Sequence, residues 1–190
     1  MVNLPTYYEN TIMDCEFSVS ERDYADAWLL YQSRFGRLKG KNMKTVLCMV
    51  LAVLSGCYIP SYLSQYGTFW IPAMVALAAL AGAVYVQILL PQRVLARGGE
   101  LYRSNGFLSL PSHLQLYRDS YCEENEYEKI VGHWTDHLGC SETKSLFVVM
   151  GGWDRELLII PKRNLTPEEL QRVSEHFQNT FVEKYRLYKS

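Results

Sequence analysis

The chain has 190 residues, with 19 Lys plus Arg, 20 Asp plus Glu and 4 His, for a formal net charge of -1. So even a balance excludes a general nucleic-acid binder, which needs a clustered cationic surface to neutralise phosphates. The average conceals a partition, because residues 45–92 contain no Asp, Glu, Lys, Arg or His and every charge lies outside them.

In chain order, the first ten residues lack the charged and apolar regions of a signal peptide, so membrane targeting is expected from the interior. Met13, Cys15, Phe17 and Val19 then alternate with Asp14, Glu16 and Ser18, the period-two pattern of a half-buried strand. Ser20-Glu21-Arg22-Asp23 reads as a helix start, with Tyr24, Ala27, Trp28, Tyr31, Phe35 and Leu38 on one apolar stripe. The charge-free stretch divides into residues 45–63 and 71–90, each roughly 28 to 30 Å long as a helix, against a hydrocarbon core of about 30 Å. A polar turn at 64–68 separates them, with Pro60 near the end of the first and Pro72 in the first turn of the second. The expectation is a transmembrane helical hairpin, since two buried helices apolar all round would need many amphipathic neighbours.

Arg34, Arg37, Lys39, Lys41 and Lys44 precede the hairpin, Arg93 and Arg97 follow it, and no acidic residue lies between Ala27 and Gly99. The positive-inside rule then puts both termini in the cytoplasm, with these seven cations facing lipid headgroups. Tyr58, Tyr62, Tyr66, Phe69 and Trp70 gather at the opposite turn, as interfacial aromatics do. The spans hold no ionisable carboxylate or imidazole, which disfavours pumping. Ala52 with Gly56, and Ala78 with Gly82 or Ala79 with Ala83, have small-xxx-small spacing. Packing within the hairpin is the first expectation for them, and a homo-oligomer the second.

Residues 94–103 continue the helix until Ser104-Asn105-Gly106 breaks it. Strand-like runs follow at 113–122, 127–138, 145–150 and 156–161, separated by Glu123-Glu124-Asn125, by Gly139 and Ser141, and by Gly151-Gly152. Glu123, Glu124, Glu126 and Glu128 read as a solvated acidic turn. Thr166-Pro167-Glu168-Glu169 combines an N-cap, Pro at N1 and Glu at N3. The helix it starts is expected to run over 167–186, with Leu170, Val173, Phe177, Phe181 and Tyr185 on one face. A twisted antiparallel sheet closed by this amphipathic C-terminal helix is the expected architecture.

Five cysteines, Cys15, Cys48, Cys57, Cys122 and Cys140, with no C-x-x-C spacing, favour reduced thiols over a disulfide framework. His133, His137 and Cys140 raise the question of zinc, but on a strand residues four apart are about 13 Å from one another, so no metal site is expected. There is no G-x-S-x-G, no phosphate-cradling glycine loop and no cysteine beside a predicted base. The reading is therefore non-enzymatic and without cofactor. Pro161 cannot donate to a ladder, so Lys162 and Arg163 are expected to cover a sheet edge.

A strand and helix, two adjacent spans, strands with a central Trp134, and Ile159-Ile160-Pro161-Lys162-Arg163 before a terminal helix resemble the YcxB-like family of small bacterial membrane proteins. The specific part of the likeness lies in residues 130–177, where Leu146-Phe147-Val148 is similar to a further family strand. The resemblance implies a cytoplasmic domain similar to pleckstrin-homology-like modules, and it supplies no catalytic residues. The whole reading is an α+β protein with a transmembrane helical hairpin. Residues 1–42 form an N-terminal strand and helix, 43–92 the hairpin, and 93–190 the cytoplasmic YcxB-like domain. The expected role is an inner-membrane protein that presents this domain to a protein partner, as a scaffold, regulatory or immunity-type factor. The alternative is a sensor of anionic lipid or of a small ligand.

Overall fold

The structure is a computed structural model, and it describes residues 11–152 and 156–188. Its elements in chain order are β1 (Met13–Phe17), α1 (Glu21–Arg34), α2 (Lys41–Tyr66), α3 (Trp70–Val84) and α4 (Leu90–Ser104). Then come β2 (Ser112–Leu116), β3 (Ser120–Glu124), β4 (Lys129–His133), β5 (Gly139–Glu142), β6 (Leu146–Met150), β7 (Leu157–Pro161), α5 (Pro167–Phe181) and β8 (Tyr185–Leu187). They fall into two compact units, one from the described residues of 1–28 and 98–190, the other Leu29–Arg97.

The first unit is α+β. The alternation of Met13, Cys15 and Phe17 makes β1 a strand, and it pairs antiparallel with β2, Met13 opposite Leu116 and Phe17 opposite Ser112. One sheet has the order β1-β2-β3-β4 and a second the order β7-β6-β5-β8, antiparallel except that β8 runs parallel to β5. Two four-stranded sheets therefore replace the single sheet expected. The run 113–122 is two strands, folded back where Tyr117 N–H donates to Ser120 O at 2.9 Å. Gly139 and Ser141, read as a separator, belong to β5. Glu123 is buried within β3 rather than solvated, while Glu124 pairs with Lys129 at 2.8 Å. The run 127–138 is a strand only to His133, after which Trp134–Asp136 forms a 3-10 turn.

Met13, Phe17, Leu114, Leu116, Tyr121, Trp134, Phe147, Val149, Leu158 and Ile160 form one core. Val173, Phe177 and Phe181 of α5 join it, at the spacing that puts them on one helical face. The start of α5 is the expected capping box, in which Thr166 Oγ1 accepts from Glu169 N and the Glu169 carboxylate accepts from Thr166 N. Its end differs, since the helix stops at Phe181 and the chain turns into β8. Gly132 faces Tyr121 across the β3–β4 ladder, and a Cβ there would lie 2.5 Å from the ring. The absent side chain is what gives the ring its place.

The second unit contains α2, joined to α3 by a turn in which Gly67 adopts φ 68 and donates its N–H to Leu63 O. Residues Tyr85–Leu89 form a single π-turn that connects α3 to α4 in one continuous helix. Lys41–Tyr66 and Trp70–Ser104 are both long and apolar enough to cross a membrane. Leu47, Val53, Leu54, Trp70, Met74 and Leu77 are exposed. The hairpin closes on small residues, at Ala52 and at the second of the two spacings read on α3, Ala79 with Ala83. Ala52, Ala79 and Ala83 are buried, Gly56 and Gly82 half-buried, and Ala78 exposed. Ala78 is thus corrected out of the hairpin seam, whereas Gly82 faces α2, since a Cβ on it would lie 3.6 Å from Cys48 Sγ.

Candidate functional site

Within Leu29–Arg97 there are seven Arg and Lys side chains and no Asp or Glu. Arg34 closes α1, and Phe35 and Leu38, expected on that helix, lie beyond it in a turn where Leu38 N–H donates to Gln32 O at 3.0 Å. Gly40, at φ 68, lets the chain turn into α2 with Lys41 and Lys44 in its opening residues. Arg93 and Arg97 stand on α4. Three of the cations meet a ring or a carbonyl. Arg34 lies over the Phe35 ring at 5.2 Å, Arg93 over Tyr85 at 5.5 Å, and Lys44 Nζ donates to Arg37 O at 3.2 Å. Arg37, Lys39, Lys44, Arg93 and Arg97 are exposed.

In the α+β unit the residues that carry the resemblance occupy structural positions. Trp134 is buried and its indole N–H donates to Tyr117 O at 3.0 Å. Ile160 is in the core, and Pro161 ends β7, an edge strand. Lys162 Nζ donates to Glu142 Oε1 at 2.6 Å and lies 4.4 Å from the centre of the Phe147 ring. Arg163 grips both Asp23 oxygens, at 2.9 and 2.7 Å, and donates to Ser18 O at 3.0 Å. Burial works against the Asp23 carboxylate, yet Arg163 and the Ser20 donors hold it below the usual carboxylate range. The pairing of Asp23 with Arg163 and of Glu142 with Lys162 was missed in the sequence. The capping contact of Asp23 with Ser20, at 2.9 Å from its N–H, has a local signal, but nothing local indicates Arg163.

A pocket of about 960 Å³ opens in the same unit, lined among others by Arg118, Trp134, His137, His176, Phe181 and Lys184. His137 Nδ1 and His176 Nε2 are buried and, among the described residues, have no hydrogen-bond partner. Burial pushes both imidazoles below the ordinary histidine value, and Asp136 and Asp119, respectively, only partly oppose it. Of the zinc candidates, His133 is exposed at the end of β4, while His137 and Cys140 are buried. Among the described residues no three His, Cys, Asp or Glu side chains converge to hold a metal. No local pattern signals this pocket, because His176 comes from α5 and meets Trp134 only in the fold, 5.7 Å between ring centres.

The chain matches no protein-family model, no curated protein and no solved structure.

Proposed function

We propose that the chain is a non-enzymatic, two-span protein of a bacterial inner membrane, related to the YcxB-like family, whose cytoplasmic pleckstrin-homology-like module binds a protein partner. One observation carries the membrane part of this reading. Seven cations without a carboxylate in their own unit flank one end of two apolar helices, and the opposite turn, residues 64–70, carries no charge. Within the protein, cations at the start of α2 oppose the helix dipole and gain nothing from it. At an anionic leaflet each contributes about 1 kcal/mol of attraction. Orientation follows from the same charges.

The module reading is supported by an antiparallel four-stranded sheet, three further antiparallel strands and a C-terminal helix that closes the core, the order the resemblance implies. A protein partner suits such a module better than turnover does. The Lys162 and Arg163 charges are occupied within the chain. The basic belt favours a second reading, in which binding of anionic lipid is itself the function. Native mass spectrometry of gently extracted protein, before and after a high-salt wash, separates the two. A protein partner that survives the wash is the expected result, whereas anionic lipid alone, lost with salt, would replace the adaptor by the sensor.

A further inference from the structure

Helix α5 stops where its sequence does not ask it to. Tyr185 continues the Val173, Phe177, Phe181 stripe, and Glu183 and Lys184 are good helix formers. What ends the helix is Val182, at φ 40 and ψ -106, the one non-glycine residue with positive φ among those described. A β-branched side chain is strained in that region. The β8 strand beyond it has three residues, and its parallel pairing sets Cys140 against Tyr185, Ser141 against Arg186 and Glu142 against Leu187. It covers little, for Arg186, Leu187 and Tyr188 are exposed, Leu187 at 53%. Tyr185 is half-buried against the core, and the anchors include its hydroxyl on the Glu142 carboxylate and Tyr188 N–H on Glu142 O at 2.8 Å.

Local helix preference, a strained hinge and a thinly held strand together make a two-state element. We infer that residues 182–188 are an exchange arm: α5 runs on through Val182, and β8 of one copy seats on β5 of a second copy. The second copy is the occupant because its arm fits the β5 edge in the register and with the Tyr185–Glu142 contact just described, and exchange releases the strain at Val182. Short strained hinges favour such swaps. The inference rests on the membrane reading above, in which two spans hold copies at one height and orientation and raise their effective concentration.

The test uses two full-length, differently tagged copies expressed together, with native cysteines replaced by alanine, one carrying Ser141→Cys and the other Arg186→Cys. Oxidised in their own membrane, they should give a disulfide-linked dimer bearing both tags. Val182→Gly, which relieves the closed form, should cut its yield about tenfold. If the tags are never linked, whether or not one chain carrying both cysteines closes on itself, exchange is overturned. A monomer that keeps a protein partner through the salt wash would sink the exchange arm and leave the proposed function standing.

Discussion

Asp23 and Arg163 are 140 positions apart in the chain and meet through two hydrogen bonds, tying the start of α1 to the corner between β7 and α5. Asp23 is the more buried partner, its side chain 10% exposed against 51% for Arg163. Removing Arg163 leaves a carboxylate in a poor environment, whereas removing the Asp23 charge leaves a guanidinium that water can reach. Arg163→Ala should therefore cost about 2 kcal/mol in chemical denaturation and Asp23→Asn clearly less. The titrations act in the same sense. His137 and His176 have folded values below their unfolded value of about 6.5, so the unfolded chain takes up protons first and stability falls as pH drops from there. Asp23, held low in the fold, contributes stability above its unfolded value of about 3.9 that is lost as pH falls through the folded value. Thermal unfolding should thus show Tm decreasing below about pH 6.5, and His176→Phe should flatten that first decline. A Tm independent of pH between 7.5 and 5.5 would contradict the burial of these imidazoles.

At the scale of elements, β1 was legible because Met13, Cys15 and Phe17 alternate cleanly, and α5 because Thr166, Pro167 and Glu169 spell out a start. The break between β2 and β3 was not, since Tyr117-Arg118-Asp119 contains no Gly or Pro and its neighbours are as strand-like as the strands. Strand β5 was hidden by composition, as Gly139 and Ser141 are turn residues that here lie in a ladder with β6. The end of α5 was misread because Val182 breaks a pattern that periodicity carries through Tyr185. The seven cations are a feature of the sequence itself, while the histidine pocket was not legible, for it is assembled from a turn and a distant helix. Two substitutions probe these elements by chemical denaturation. Thr166→Ala should cost about 1 kcal/mol through loss of the cap. Gly132→Ala should cost about 1 to 3 kcal/mol, because the buried Tyr121 ring 2.5 Å from the new Cβ has nowhere to go. Gly132→Ala with unchanged stability would show that the ring moves freely.

For the molecule as a whole, the decisive feature is that the apolar hairpin interrupts a folded unit. β1 precedes it, β2 follows it, and the two are hydrogen-bonded partners. A segment inserted between paired strands must leave and return on one side, so its helices cross a membrane as a pair or not at all. At the junction α1 and α4 touch, a Cβ on Gly98 falling 2.9 Å from Ala25 Cα and 3.2 Å from Trp28 Cβ. Replacing residues 29–97 by a short Gly/Ser linker should therefore yield a soluble α+β protein with the circular dichroism of two sheets and a helix. Aggregation of that protein would mean the unit depends on the hairpin. The most direct test of the central claim is labelling with a membrane-impermeant maleimide in intact cells, with Cys48 and Cys57 replaced by alanine. A Gln65→Cys chain should be labelled from outside, and an Arg118→Cys chain only after permeabilisation. Labelling of both from the same side, or the reverse order, would contradict a two-span protein with its module in the cytoplasm.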